Sequence, residues 1–311
     1  FGAAIPDDGV EPWLDHPVLY PLVLGAVKKL SQFFGTEARF YDIRLASILL
    51  FCLPTIYLAM VICRKQFGTE AAVISGLMYA FVPSIVLQQK MIFLDHGAAF
   101  FSMLSIYALS VYLSSGSERW WIFSAIFSGL ASLSKGLGIF AILAVALTMM
   151  LNSESTLKKG TIRSFLSLVI GGSLFLLYPL YGYMLNFPLF KAVASIQLSR
   201  ASPEWLVRSM SEYPWSYQHI YDYFLQLGWI SVVYGVVIGL REKRINPTLI
   251  WLIAYLAVLV FVAKTAYYYS QILFYPFLTI LTGKTLFDII GFFGSLKGRL
   301  QSQKSDKEVT L

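Results

Sequence analysis

The chain has 311 residues, of which 57% are hydrophobic and only 13% are charged, and its mean hydropathy is +0.67. A soluble globular domain carries about 25% charged residues, so this composition excludes an ordinary soluble enzyme, a disordered segment and a disulfide-stabilised scaffold. The net charge of +7 comes from short basic clusters between apolar runs, a pattern typical of membrane-protein loops rather than of the basic face that binds nucleic acid.

The first 44 residues lack a long, uncharged apolar run. Residues 1–16 form a polar segment, and residues 17–44 are predicted to form a helix lying at the outer membrane interface and a connection to the first span. Residue 1 is Phe rather than Met, and no signal peptide is visible before the polar segment. We therefore expect the chain to be an N-terminally truncated form of a longer protein.

Residues 45–293 are predicted to form a transmembrane domain of about nine helices. Residues 45–62 carry no charge, and a helix of that length spans about 27 Å, close to the thickness of a bilayer core. The run 120–151 is long enough for two crossings and is predicted to be a helical hairpin that turns at Lys135–Gly136. The remaining predicted spans are 70–88, 96–114, 164–185, 224–240, 247–263 and 268–290. The expected fold class is an all-α polytopic transmembrane bundle.

The basic residues predict the orientation of this bundle. Lys and Arg cluster after alternate spans, and such clusters mark cytoplasmic loops. The polar tail 294–311 is therefore expected in the cytoplasm, whereas residues 1–16 and the loop 186–226 are expected outside. No organelle signal is visible, so we expect a multi-pass protein of the plasma membrane. The basic clusters are Arg64–Lys65, Arg119, Lys158–Arg163, Arg241–Arg244 and Lys297–Lys307.

Two ionisable residues at the ends of predicted spans are candidates for a functional site. Asp95 begins a span at the outer face, where it is either functional or a helix N-cap, and position alone favours the N-cap. Lys135 lies between two apolar runs and precedes Gly136, which lets the backbone turn or approach a ligand. Its cation would suit an anionic group such as a phosphate, or it could snorkel towards water from lipid. Position leaves these two interpretations of Lys135 equally open.

Other polar residues carry weaker signals. Asp15, Asp95 and His96 have side chains that bind divalent metals, but adjacent Asp-His pairs do not make a metal motif, so metal dependence stays open. Lys284 and Asp288 lie four residues apart on the last predicted span, and we expect them to form an ion pair.

A short element at residues 15–20, Asp-His-Pro-Val-Leu-Tyr, resembles the acidic-(His/Lys)-Pro-Pro-Leu-Tyr element of GT-C membrane glycosyltransferases. That superfamily includes the dolichyl-phosphate-mannose protein mannosyltransferases and the aminoarabinose transferases of lipid A. Val18 stands where the family has its second proline. The similarity continues in the same order through Arg44-Leu45, Arg64–Gly68, Lys90–Asp95, Arg119–Trp121 and Leu130–Gly136. This ordered set covers residues 15–163 and is more specific than any one element.

The resemblance implies a GT-C fold and a glycosyltransferase reaction at the outer membrane face. The donor would be a polyprenyl-phosphate-linked hexose or pentose, and the acceptor a protein, a lipid or a glycan. Lys135 and His16 would bind the donor phosphate, and Asp95 and Asp15 would be acidic residues of the site. A lipid-phosphate leaving group needs a cation, and an acceptor hydroxyl needs a base. Direct displacement would invert the anomeric carbon.

The chain departs from the family at the principal catalytic base. In the family this base is an Asp upstream of the His-Pro element, a region that here holds only Asp7 and Asp8. We favour a base that precedes Phe1; the alternative is that Asp7 or Asp8 has taken its role. Two other classes remain open. One is a transporter or flippase for a lipid or small solute, and the other is a non-catalytic membrane subunit if the chain truly begins at Phe1.

Overall fold

The computed structural model describes residues 14, 16–151, 157–199, 224–242, 246–263 and 268–308. The regular structure within these ranges is helical throughout. The π-helical turns Ile48–Cys52 and Val258–Ala263 and the 3₁₀ helices Gly136–Gly138 and Tyr268–Leu273 join or extend the α-helices. In chain order the α-helices are α1 (Leu19–Phe33), α2 (Phe40–Ser47), α3 (Leu53–Phe67), α4 (Thr69–Phe81), α5 (Pro83–Gln89), α6 (Asp95–Ser115), α7 (Glu118–Ser134), α8 (Ile139–Leu151), α9 (Leu157–Ser199), α10 (Phe224–Glu242), α11 (Pro247–Ala257) and α12 (Tyr275–Glu308).

Several helices are long and apolar enough to cross a membrane. Within the described ranges these are Phe40–Phe67, Asp95–Ser115, Lys158–Gln197 and Tyr275–Ser295, and the bent pair α4–α5 would make one further span. Shorter apolar helices occupy Gly136–Leu151, Gln226–Arg241 and Pro247–Phe261. The predicted all-α polytopic bundle is thus confirmed, while the number of nine spans stays a prediction.

Local sequence explains the two sharp connections in the first half of the bundle. Gly68 adopts a φ of +95°, a conformation that glycine reaches without steric cost, and it lets α4 begin directly after α3 and pack back against it. The 60° bend between α4 and α5 lies at Val82. Because Val82 precedes Pro83, its backbone is restricted to the extended conformation that the structure shows.

The predicted hairpin turn at Lys135–Gly136 is the point where the helix breaks. Lys135 is extended (φ −153°, ψ 133°), and the 3₁₀ helix that follows leads into α8. A Cβ atom on Gly138 would lie 2.3 Å from the carbonyl oxygen of Ala131, so only glycine permits the chain to pass this close to α7. The break therefore holds Lys135 at the end of α7.

Helix α9 also contains a break, at Asn186 (φ −161°, ψ 87°). The Asn186 side chain accepts a hydrogen bond from the backbone N–H of Leu189 (3.1 Å), as an N-cap does. The Tyr178 and Phe190 rings lie 5.5 Å apart, although twelve residues of straight helix would separate them by about 18 Å. The segment 187–199, predicted as part of an outer loop, is thus a helix that folds back over the end of the preceding one, and residues 200–223 lie outside the described ranges.

The core lies where α8, α11 and α12 meet. Phe140, Trp251, Tyr255 and Phe277 are fully buried and make edge-to-face and stacked ring contacts. In contrast, only 17% of the most apolar 18-residue stretch of α9 is buried inside the protein. An apolar helix that the protein itself leaves uncovered is suited to contact with lipid.

Candidate functional site

The centre of the site is an ion pair between α6 and the end of α7. The Lys135 Nζ atom lies 3.2 Å from Asp95 Oδ2, and the two side chains are 10% and 1% exposed. Asp95 is the first residue of α6, and Lys135 directly follows α7. Two residues that sequence analysis selected separately, 40 positions apart, are therefore brought into direct contact.

This geometry corrects two sequence-based interpretations. The side chain of Asp95 does not cap α6, because among the described residues its carboxylate accepts from Lys135 and not from a backbone N–H of the helix. The ammonium group of Lys135 does not snorkel towards water, since its side chain is buried against Asp95. The two residues therefore form a buried ion pair, and their roles in a functional site stay predictions.

The second carboxylate oxygen of Asp95 is chemically distinctive. Oδ1 is buried and has no hydrogen-bond partner in the part of the chain that the structure describes. Burying an acceptor of this kind without a partner costs about 1–3 kcal/mol, and more when the group is charged. An unpartnered buried oxygen of this kind calls for an explanation, because nearly all buried polar side-chain atoms have a hydrogen-bond partner.

Helix α1 packs against the same ion pair through Tyr20. A Cβ atom on Gly97 would lie 2.8 Å from the Tyr20 ring and 3.2 Å from Ser134, so the ring lies where Gly97 leaves room. The Tyr20 hydroxyl forms a 2.6 Å hydrogen bond with the hydroxyl of Ser47. Burial raises the pKa of Tyr20, which keeps the phenol neutral. Tyr20 thus connects α1 with the start of α6 through Gly97 and with the end of α2 through Ser47.

Contacts on both sides of His16 fix the segment that precedes α1. The Tyr178 hydroxyl donates a 2.8 Å hydrogen bond to the carbonyl oxygen of Leu14, and Tyr20 anchors the other side. His16, which is half-buried, lies between these two anchors. Asp15, Asp8 and Asp7 lie outside the described residues, so their roles stay predictions.

The ring of His96 contacts the loop that precedes α6. Its Nε2 atom forms a 3.0 Å hydrogen bond with the carbonyl oxygen of Met91, which closes the short loop before α6. Among the described residues no group of three or more His, Cys, Asp and Glu side chains could hold a metal ion. The described side chains therefore give no support to a metal site at Asp15, Asp95 and His96.

Sequence analysis missed a buried polar cluster next to this loop. Gln88 donates from Nε2 to the hydroxyl of Tyr275 (3.1 Å) and to Gln271 Oε1 (3.4 Å), and the Tyr275 hydroxyl donates to Gln271 (2.8 Å). The cluster joins α5, the 3₁₀ helix 268–273 and α12. Gln88 and Gln271, which lie at the ends of apolar runs, were the sequence signal that could have revealed this cluster, because a buried amide needs hydrogen-bond partners.

The charges of the site favour an anionic ligand. Lys135 supplies a buried cation, and the N-terminus of α6 supplies the positive end of a helix dipole. Asp95 offsets part of this charge in the absence of a ligand. A phosphate that approached Lys135 would compete with Asp95 for its ammonium protons, and charge-assisted bonds of this type are about twice as strong as neutral ones.

The sequence also matches a known protein family over more than half of its length. The sequence profile of the family described as Dolichyl-phosphate-mannose-protein mannosyltransferase matches residues 15–183. This range includes His16, Asp95 and Lys135. No curated protein shows a significant match to the chain as a whole sequence.

Solved structures with a similar fold include ArnT and an archaeal oligosaccharyltransferase. ArnT from Cupriavidus metallidurans in the apo state superposes with a TM-score of 0.55 at 19% identity, covering 87% of this chain and 49% of that chain. The same protein bound to undecaprenyl phosphate gives 0.53 at 20% identity, with 87% and 49% covered. The Archaeoglobus fulgidus oligosaccharyltransferase in complex with Zn and sulfate gives 0.52 at 15% identity, with 88% and 41% covered. The chain thus spans about half the length of these proteins or less.

Proposed function

The chain belongs to the dolichyl-phosphate-mannose-protein mannosyltransferase family, and from this premise we propose that it transfers a hexose or pentose from a polyprenyl-phosphate-linked donor to an acceptor hydroxyl. The acceptor belongs to a protein, a lipid or a glycan. The observation that carries the proposal is the buried Asp95–Lys135 pair, to which Tyr20 joins the segment of the His-Pro element. A similar fold bound to undecaprenyl phosphate supports the class of donor.

Lys135 binds the donor phosphate in this proposal. During transfer the bond between the anomeric carbon and the phosphate oxygen breaks, and the polyprenyl phosphate leaves with increased negative charge. A cation already in place where this charge develops stabilises the transition state more than the ground state. His16 lies in the segment that Tyr20 anchors against α6, and we assign it the role of a second donor to the phosphate.

Asp95 positions Lys135 rather than attacking the substrate. Its side chain is 1% exposed, which leaves little access for an acceptor, and its Oδ2 atom fixes the ammonium group. The base that takes the proton of the acceptor hydroxyl is assigned to the polar segment, at Asp15, Asp8 or Asp7, or to residues that precede Phe1. Displacement with a base on the far side from the phosphate inverts the anomeric carbon.

The reaction is placed at the outer membrane face, with the C-terminal tail in the cytoplasm. Helix α6 separates Asp95 from Ser115 by about 30 Å. The end of the bundle near Ser115 carries Arg163 in an ion pair with Glu118 and the exposed Lys65, and basic ends of this kind are cytoplasmic. Helix α1 buries Tyr20 and Leu24 on one side and is assigned to the outer interface.

Donor turnover by the purified protein in lipid tests the function. Polyprenyl-phosphate mannose and glucose are supplied to the chain and to the full-length gene product, each as wild type, Asp95→Asn and Lys135→Ala. Lys159→Ala is the matched control, because Lys159 is an exposed lysine on another helix. We expect Lys135→Ala to reduce turnover by about 10²–10³-fold, and Lys159→Ala to leave it unchanged.

The outcomes show where the catalytic base lies, whether Lys135 takes part in the transfer and whether the protein is a flippase. Turnover by the full-length product alone places the base before Phe1, whereas turnover by the chain itself assigns it to Asp15, Asp8 or Asp7. Equal losses in Lys135→Ala and Lys159→Ala contradict the role of Lys135. If a panel of lipid-linked sugars gives no transfer but one of them is moved between leaflets, the protein is a flippase instead.

A further inference from the structure

A polar cavity lies far from the Asp95–Lys135 pair. It has a volume of about 800 Å³ and lies among the ends of α3 and α6, the start of α11 and the facing parts of α10 and α12. Along α6, Asp95 and the cavity residue Ser110 are separated by about 22 Å. The cavity is therefore independent of the proposed reaction, and its volume is in the usual range for ligand sites.

The charge of this cavity is positive. Lys65 and Lys284 line it, and the described residues of its lining include no carboxylate. Lys284 contacts Asp288 (2.6 Å), which also accepts from the Tyr234 hydroxyl (2.7 Å). Lys65 forms no ion pair among the described residues, and its ammonium group lies 5.8 Å from the centre of the Tyr107 ring. The excess cation is thus Lys65, which is exposed.

The hydroxyl groups of the lining act as acceptors. Ser110, Ser231 and Thr285 each donate to a carbonyl oxygen of their own helix, at 2.8, 2.8 and 3.0 Å. A hydroxyl carries one proton and two lone pairs. Since the proton of each is already used, what these three groups offer to a ligand is their oxygen lone pairs.

Asn246 adds a donor to the same lining. Its Oδ1 atom accepts from the backbone N–H of Thr248 (2.8 Å), so its amide NH₂ is the group that remains for a ligand. The cavity therefore combines a cation with several acceptors and an amide donor. A simple anion would use only the cation, whereas a sugar or a neutral polyol would leave Lys65 unused.

We propose that this cavity binds a phosphodiester whose alcohol carries free hydroxyl groups. The phosphate contacts Lys65, and the hydroxyls of the alcohol, two in a glycerol headgroup, donate to two of the three oxygens of Ser110, Ser231 and Thr285. The cavity lies at the basic end of apolar helices, where the headgroups of a bilayer are found, and basic pockets between transmembrane helices suit anionic headgroups. Phosphatidylglycerol and a soluble glycerophosphodiester share the required chemistry.

Ligand-dependent thermal unfolding of the purified chain in detergent tests this site. The probes are short-chain phosphatidylglycerol, phosphatidylmethanol, phosphatidylcholine and soluble glycerophosphoglycerol. Phosphatidylmethanol has the same net charge as phosphatidylglycerol but a headgroup without any hydrogen-bond donor, so it isolates the contribution of Ser110, Ser231 and Thr285 as acceptors. We expect phosphatidylglycerol to give the largest rise in Tm and the lowest Kd.

Two variants and a control connect this binding to the cavity. Lys65→Gln is expected to weaken phosphatidylglycerol binding about tenfold, while Lys159→Gln, an exposed lysine outside the cavity, leaves it unchanged. Gly235→Leu fills the cavity without a change of charge, and its Cβ atom meets only Leu281 at 3.7 Å. If Gly235→Leu fails to fold, Lys65→Gln still tests the site, because an exposed side chain can be replaced without disturbing the fold.

The remaining outcomes separate the sources of the ligand or overturn the proposal. Binding of soluble glycerophosphoglycerol as tightly as the lipid identifies a soluble diester, and binding of the lipid alone identifies a membrane lipid. Equal binding of phosphatidylmethanol and phosphatidylglycerol removes the role of the hydroxyls and overturns the proposal. Equal effects of Lys65→Gln and Lys159→Gln show that the cations act through general surface charge, which overturns the site.

Discussion

Two ion pairs lie at opposite ends of α7, and they differ in burial. At its start, Glu118 and Arg163 are 53% and 22% exposed, whereas at its end Asp95 and Lys135 are 1% and 10% exposed. An exposed pair contributes about 0–1 kcal/mol to stability. A buried pair must overcome the desolvation of both charges and often contributes no more than apolar residues of similar size. The exposed pair should therefore contribute little to stability, whereas the buried pair is the one to which we assign the donor phosphate.

Breaking the buried pair should have the largest effect. We expect Lys135→Met to lower the free energy of unfolding by about 3–5 kcal/mol, because Asp95 is left as an unpaired buried charge. The double variant Asp95→Asn/Lys135→Met should recover most of this loss without recovering donor turnover. Chemical unfolding in detergent measures the first quantity. A double variant that regains turnover would show that the pair is structural only.

A smaller effect is expected where α1 docks on the site. Gly97→Ala should destabilise the protein by about 1–3 kcal/mol through overpacking, since its Cβ atom would approach the Tyr20 ring to 2.8 Å. It should also reduce donor turnover by displacing the segment that carries His16. Gly172→Ala is the matched control, because a Cβ atom there meets nothing within 4 Å. Thermal unfolding and turnover of both variants are compared, and equal losses would remove Tyr20 from the site.

The smallest effect is expected at the exposed pair. Glu118→Gln should change the free energy of unfolding by about 0–1 kcal/mol, and the change should shrink further as salt is added. Arg163 keeps its contact with the Tyr112 ring, 5.6 Å from the ring centre, so the variant removes only the charge pair. Unfolding at low and high salt measures this. A loss as large as that of Lys135→Met would contradict the contrast between the two ends of α7.

Sequence patterns identified the features that depend on local order. Long apolar runs predicted the helical bundle, and the i, i+4 spacing predicted the Lys284–Asp288 pair, which is confirmed at 2.6 Å. Asp95 and Lys135 were both selected because an ionisable residue at the edge of a span is unusual. Their contact was not predicted, because it depends on how α6 packs against the end of α7.

The features that sequence analysis missed depend on contacts between distant segments. Tyr20 lies beside Gly97 because that glycine lacks a Cβ atom, and nothing in either local sequence indicates the partner. The fold-back of α9 did have a local signal. Asn186 is followed two residues later by Pro188, and an Asn near a proline in this order is typical of a new helix start.

The hydrogen bond from Tyr178 to Leu14 also has a consequence for biogenesis. Its two residues are 164 positions apart, and translation proceeds at about 5–20 residues per second, so roughly 8–33 s separate their synthesis. During that time the amino-terminal segment has no α9 on which to dock. The surface that carries His16 therefore takes its final form late in membrane insertion, after α6 and α7 have been made, and the chain is without an assembled site until α9 has been inserted.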